Sequence, residues 1–149
     1  MADRSFVEEN EASRRELGEI IGKVRQRDFH LEGSSGCSIS MLLCHLAFWD
    51  QRILFLLGEW QSGRFETSRL SPLAIDSINH AVKVISTEVP PSAAARLALD
   101  SAAAIDSRVA GIADDLIEKI VSAGFEWVLK RSLHRRAHLS QIQKALGPV

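Results

Sequence analysis

The stretch ISMLLCHLAFWDQRILFLLGEW, residues 39–60, contains the best apolar run of the chain, residues 39–57, and decides its fold class. Its apolar side chains recur close to every 3.6 residues, which predicts one long amphipathic helix. Ser38 stands just before the run and is a suitable N-cap, because the GSSG sequence at residues 33–36 interrupts any helix upstream. The predicted inward stripe consists of Leu42, Leu46, Trp49, Ile53, Leu56 and Trp60.

Four more helices are predicted from the same periodicity. In chain order they cover residues 8–27, 72–88, 92–120 and 127–146, and the third of these is rich in alanine. Gly124 is expected to separate the last two, and Gly147 to end the final one. No segment shows the apolar and polar alternation of a strand. The sequence therefore predicts an all-α fold.

The arrangement expected for these helices is a four-helix bundle with one short extra helix. Residues 61–70 form a long crossover between the second and third helices, which lets the third run in the same direction as the second. The apolar residues of the third helix are expected to point inward, and they are Ile75, Ile78, Val82 and Ile85.

Composition narrows the class of protein. The 149 residues are 46% hydrophobic and 25% charged, which is typical of one globular domain spanning residues 1–149. A net charge of -1 gives no sign of nucleic-acid binding. His45 and residues 50–52 interrupt the best apolar run, so we expect no membrane span. Cys37 and Cys44 are too far apart along a helix to pair, so we expect reduced thiols in a cytoplasmic protein.

The segment LHRRAHLSQI, residues 133–142, carries the candidate chemistry. His134 and His138 are four residues apart, so they project from one helix face and can share a metal ion. Metal sites in bundles take ligands from facing helices, and His45 lies about 60° from the inward stripe of its own helix. The alternative is that the pair arises by chance and that the histidines are simply packed or exposed.

Two arginines of the last helix fall on its core-facing side. Arg131 and Arg135 lie in the same sector as the apolar stripe, which indicates either a wet pocket or ion pairs. Ion pairs with acids of another helix are slightly favoured over substrate binding.

The segments at residues 44–52 (CHLAFWDQR) and 133–142 resemble the DinB/YfiT-like superfamily of metalloenzymes. Residues 76–79 and the alanine-rich helix are most similar to the branch that contains the N-terminal domain of mycothiol-dependent maleylpyruvate isomerase. The resemblance implies an up-down-down-up bundle, often dimeric, with zinc or nickel held by His45, His134 and His138. The isomerase can have glutamate at the position of His134, and it has a further C-terminal domain. The resemblance therefore does not extend to the isomerisation itself.

The resemblance also implies a reaction class, since several members transfer low-molecular-weight thiols. Three neutral imidazoles leave the full charge of a divalent ion, which favours thiolate or hydroxide as a further ligand. Trp49 would wall the pocket, and Arg52 or Arg135 would hold a substrate carboxylate. We therefore expect a homodimeric thiol S-transferase acting on a small molecule, with no residue assigned to catalysis itself. The alternative is a non-catalytic dimeric helical-bundle binding protein, with a structural metal or none.

Overall fold

Six α-helices and two short 3₁₀ turns build residues 1–148, the part of the chain that this computed structural model describes. Within these residues there is no strand, only one isolated bridge between Glu32 and Ser38. The all-α class is confirmed. The helices are α1 (Ser5–Lys23), α2 (Ile39–Gln61), α3 (Pro72–Ser86), α4 (Pro91–Ala110), α5 (Asp114–Ser122) and α6 (Arg131–Leu146), and the 3₁₀ turns are Gln26–Asp28 and Glu126–Val128.

Helix α2 follows its prediction closely. The side chain of Ser38 accepts a hydrogen bond from the Met41 backbone N–H at 3.1 Å, which confirms the predicted N-cap. The inward face is broader than the predicted stripe, because Leu43, Asp50 and Leu57 are also buried, whereas Trp49 and Leu56 are only partly buried.

Helix α2 is also long and apolar enough to cross a membrane, with a mean hydropathy of 1.3 over its best 18-residue window. This differs from the expectation that its polar residues rule such a span out. A core helix of a soluble protein meets the same criterion, so the finding is weak evidence either way. In this structure α2 packs against α3, α4 and α6.

The predicted alanine-rich helix is divided into two. Helix α4 ends at Ala110, Gly111 follows it, and α5 begins at Asp114. Glycine is costly inside a helix, and the acidic first turn of α5 favours a new N-terminus. Arg4 stabilises the break, because its Nη2 donates to the Ile112 carbonyl and to Asp114 Oδ1, each at 2.6 Å.

Helix α3 is less buried than its pattern indicates. Ile75 is 38% exposed and Ile85 is 69% exposed, so the prediction that both point inward is wrong. Ile78 and Val82 are half-buried. The reason is that α3 packs mainly against one neighbour, α2, and one partner covers only a narrow stripe of a helix.

The two terminal helices are shorter than expected. Residues 24–27, which were predicted to belong to the first helix, lie outside α1. The predicted last helix begins with a 3₁₀ turn, and α6 itself starts at Arg131. Gly147 ends α6 with a φ of 78°, as predicted.

Four helices, α1, α2, α4 and α6, contribute to one core at the end of the molecule that carries His45 and His138. A second core joins α5 and the second 3₁₀ turn to the far halves of α2 and α4. The first core is built mainly from Leu17, Ile20, Ile39, Leu42, Leu43, Leu46, Ala94, Ala98, Leu139 and Ile142.

Candidate metal centre

Three histidines converge between α2 and α6. His45 comes from α2, His134 and His138 come from successive turns of α6, and their candidate ligand atoms all lie within 4.8 Å of one another. The Nε2 atoms of His45 and His134 are 3.2 Å apart. Two nitrogens on a tetrahedral zinc ion would be separated by about 3.3 Å. This histidine cluster therefore has the donor type and spacing of a metal site.

Gln141 orients one of the three rings. His138 Nδ1 and Gln141 Oε1 are 2.7 Å apart, so the ring donates its Nδ1 proton to the amide oxygen. The Nε2 lone pair is then free to bind an ion. A hydrogen-bond acceptor behind the metal-binding nitrogen is the usual support of a ligand histidine.

Arg131 has the opposite effect on His134. Its Nη2 lies 3.3 Å from His134 Nδ1. A guanidinium can only donate, so Nδ1 accepts, and the proton of the neutral ring is on Nε2, facing His45. Metal binding through His134 Nε2 would need that proton to leave. The cluster thus suits a metal at His45 and His138, and His134 requires a change of tautomer.

The protonation of the cluster favours ligation. Burial lowers the pKa of His45 to about 4, with a smaller contribution from the charge of His138. Burial, followed by the charge of Arg131, lowers the pKa of His134 to about 2. The pKa of His138 is also lowered by burial. All three rings are therefore neutral at pH 7, the form that binds metals.

An ion-pair network adjoins the cluster through Arg131 and consists of the buried Asp50, Asp106, Arg131 and Arg135 and the half-exposed Arg14. Arg131 Nε donates to Asp50 Oδ1 at 3.0 Å, and Arg135 donates to both oxygens of Asp106 at 3.1 and 3.0 Å. Arg135 also lies 3.6 Å from Asp50, and Arg14 Nε donates to Asp106 at 3.0 Å. Asp50 was not assigned a role from the sequence, although an acid in the middle of the most apolar helix was a usable signal.

Arg135 is occupied by this network. Its side chain is only 2% exposed, and it also donates to the Asn10 carbonyl and to Ser13 Oγ, each at 2.9 Å. This placement favours the ion-pair interpretation of Arg135 over the predicted substrate-binding role. A buried guanidinium with satisfied donors offers no surface to a ligand.

Trp49 lies beside the histidine cluster. Its ring meets that of His45 edge to face at 6.3 Å between centroids, and its Nε1 donates to Asn79 Oδ1 of α3 at 2.9 Å. The Arg52 guanidinium stacks over the same indole at 5.6 Å, and burial lowers the pKa of Arg52. The structure therefore places Trp49 beside the histidine cluster and Arg52 against the indole of Trp49.

Two cavities reach the cluster. One, of about 250 Å³, is lined by His45 and His138 together with Cys37 and Lys83. The other, of about 140 Å³, is lined by His134 with Trp49 and Trp127 among its other walls. Small molecules thus have room on two sides of the histidines.

The remaining histidines and the cysteines stand outside the cluster. His30 and His80 are both exposed, although His80 lines the rim of the 250 Å³ cavity. Cys37 and Cys44 are free thiols, as predicted, and burial raises the pKa of Cys44. Neither thiol belongs to the group of candidate metal ligands.

Comparison with known proteins adds no further assignment. No family model, no curated protein and no solved structure matches this chain. The resemblance to the DinB/YfiT-like superfamily therefore stays a prediction that rests on short motifs, and the function has to be argued from the residues of the site.

Proposed function

We propose that this protein is a divalent-metal enzyme that transfers a low-molecular-weight thiol to a small electrophile. The observation that carries the proposal is the convergence of three neutral imidazoles from α2 and α6 within 4.8 Å. Imidazole ligands suit zinc and nickel, so His45, His134 and His138 would hold one such ion. The proposal further assigns the protein to the DinB-like class, as a homodimer.

The bundle arrangement is part of this proposal. Helices α1, α2, α4 and α6 would be the four members, in up-down-down-up order. Their shared core supports this, as does the long segment of residues 62–90 between α2 and α4, which includes α3. Such a crossover allows α2 and α4 to run in the same direction.

The chemistry follows from the charge of the donor set. A divalent ion on three neutral rings supplies Lewis acidity that lowers the pKa of a coordinated thiol. In the transfer, the sulfur bonds to an electrophilic carbon, the leaving group departs with the bonding electrons, and the thiol proton passes to solvent. Gln141 would hold the ring of His138 in place, and Trp49 would exclude water from one side of the cluster.

Two reactants have room to meet at the cluster. The cavity lined by His45 and His138 contains Lys83, which is suited to a carboxylate of a small thiol. The cavity lined by His134 lies between Trp49 and Trp127, which suits an apolar or conjugated electrophile. This division supports a two-substrate transfer over a one-substrate reaction.

A second candidate is a non-catalytic helical binding protein. The contact of Arg131 with His134 Nδ1 favours it, because that contact stabilises a tautomer suited to a hydrogen bond between His134 and His45 without a metal. In this alternative the three rings form a half-buried polar cluster that fixes α6 on α2.

Metal content distinguishes the two candidates. The protein is incubated with zinc or nickel, freed of excess ion by gel filtration and analysed for metal. We expect about one ion per chain, lost in His45→Ala and His138→Ala and retained in His30→Ala, which replaces an exposed histidine away from the cavity. Absence of stoichiometric metal in the wild-type protein would contradict the proposed enzyme function.

The reaction class needs a separate assay. The metal-loaded protein is offered a chromogenic aryl halide with and without cysteine, glutathione or coenzyme A. We expect turnover only with a thiol and only in the metal-loaded protein. Turnover that proceeds equally without a thiol would contradict the transfer and indicate a hydrolase.

A further inference from the structure

An aromatic cavity of about 360 Å³ adjoins the smaller cavity at His134, and the two share Trp49 and Trp127 as walls. All three tryptophans of the chain line it, together with Phe125. These aromatic side chains give the cavity an apolar, polarisable lining that suits a flat ligand. For the rest of this section it is called the aromatic cavity.

Two guanidinium groups line the aromatic cavity without a carboxylate partner. Within residues 1–148, Arg52 forms no hydrogen bond or ion pair, and it is held only over the Trp49 ring. Arg69 stacks over Phe125 at 5.0 Å, and its one hydrogen bond goes to the Gly124 carbonyl at 3.0 Å. By contrast, Arg131 and Arg135 are occupied by ion pairs with Asp50 and Asp106. Arg52 and Arg69 therefore have donors free for an anion.

The wall formed by residues 62–71 is fixed in place. Trp60 Nε1 donates to the Glu66 carbonyl at 3.0 Å, and Arg69 anchors the far end of the segment on Gly124. Gly124 has a φ of 77°, and a Cβ there would lie 3.1 Å from Arg69 Nη2. The close approach of Arg69 thus depends on glycine, and the cavity does not have to be organised by its ligand.

We propose that the aromatic cavity binds a planar aromatic monocarboxylate. The guanidinium forks of Arg52 and Arg69 match a carboxylate, and the tryptophan faces match the ring. Glu66 is the acid of the lining, so the two arginines and one glutamate leave one positive charge, which suits a monoanion better than a polyphosphate. Its volume lies within the range of small-molecule sites. The binding of this ligand does not depend on the proposed function. Only its role as the electrophilic substrate rests on that function.

Calorimetry with 2-naphthoate tests the proposal on the full chain in EDTA. We expect one molecule bound per chain. Two matched probes separate the features of the ligand: 2-naphthamide keeps the rings without the charge, and cyclohexanecarboxylate keeps the charge without the aromatic face. Each should bind about tenfold more weakly or worse, because each loses one type of interaction. No binding of 2-naphthoate, or equal binding of the amide, would overturn the proposal.

Variants assign the binding to this cavity. Arg52→Gln should weaken 2-naphthoate about tenfold, and Arg52→Lys, which keeps the charge, should weaken it less. Arg64→Gln is the control, because Arg64 lies in the same segment but pairs with Glu59 outside the cavity. Thermal unfolding establishes that each variant is folded. Unchanged affinity in Arg52→Gln would overturn the proposal. Because no metal is present, failure of the metal site would leave this result unaffected.

Discussion

The guanidinium of Arg131 lies 3.3 Å from Nδ1 of His134 and keeps the ring proton on the nitrogen that a metal would need. Replacing Arg131 by glutamine offers an amide oxygen that accepts a proton from Nδ1. We expect Arg131→Gln to bind zinc about tenfold more tightly, since such supporting contacts commonly change metal affinity 10- to 100-fold. Competition with a chromophoric chelator measures this affinity.

The same variant has a structural cost and a matched control. Arg131→Gln weakens the compensation of buried Asp50, so the metal-free protein should lose about 3 kcal/mol of unfolding free energy. Arg136→Gln on the same helix removes only exposed contacts with Glu9 and Glu16 and should leave zinc affinity unchanged. Weaker zinc binding in Arg131→Gln would show that Arg131 supports the metal site instead of opposing it.

Gln141 is expected to act in the opposite direction. Gln141→Leu removes the acceptor that holds the Nδ1 proton of His138, so zinc affinity should fall about 10- to 100-fold. Gln143→Leu is the control, because Gln143 is exposed on the same helix. Both are measured by the same chelator competition. Equal affinity of the two variants would contradict the support of His138 by Gln141.

The stability of the metal-free protein should depend on pH through the histidine cluster. The pKa of His45 is lowered from 6.5 to about 4 in the folded state. Between these values the unfolded chain binds a proton that the folded protein does not, so stability falls as the pH falls through this window. Urea unfolding at pH 7.5, 6 and 5 should show this loss, and His45→Leu should reduce it. An identical pH dependence in both proteins would contradict the burial of a neutral His45.

Asp50 is predicted to matter more for folding than its single charge suggests. Asp50→Asn would leave Arg131 and Arg135 in a buried site with one carboxylate fewer, at a cost of about 3 kcal/mol in unfolding free energy. Asp100→Asn replaces an exposed acid and should change it by less than about 0.5 kcal/mol. Chemical denaturation of both variants measures the difference. Similar values for the two would indicate that water reaches the network.

The sequence predicted features that depend on local chemistry. Periodicity and the Ser38 cap located α2 to within one residue at its C-terminus, and the spacing of His134 and His138 placed both on one face of α6. His45 was selected from its position beside the inward stripe. Each of these features depends on the sequence of one helix, so it can be predicted without knowing how the helices pack.

Features that depend on contacts between distant segments were not predicted. The break after Ala110 is fixed partly by Arg4, which lies more than 100 residues away in the chain. The exposure of Ile75 and Ile85 follows from the number of helices around α3, which periodicity does not reveal. The sequence favoured ion pairs of Arg131 and Arg135 with acids of another helix, but the choice of Asp50 as a partner depends on the packing of α2 against α6.

The ion-pair network also bears on the order in which ligands arrive. Of the arginines in this network, Arg131 contacts the histidine cluster, where its guanidinium lies 3.3 Å from His134 Nδ1. This positive charge disfavours a metal ion that binds alone and favours one that binds together with an anion. If metal and thiolate bind together, as proposed, thermodynamic linkage requires each to raise the affinity of the other by the same factor. The cluster would accordingly hold its ion weakly at rest and firmly during turnover.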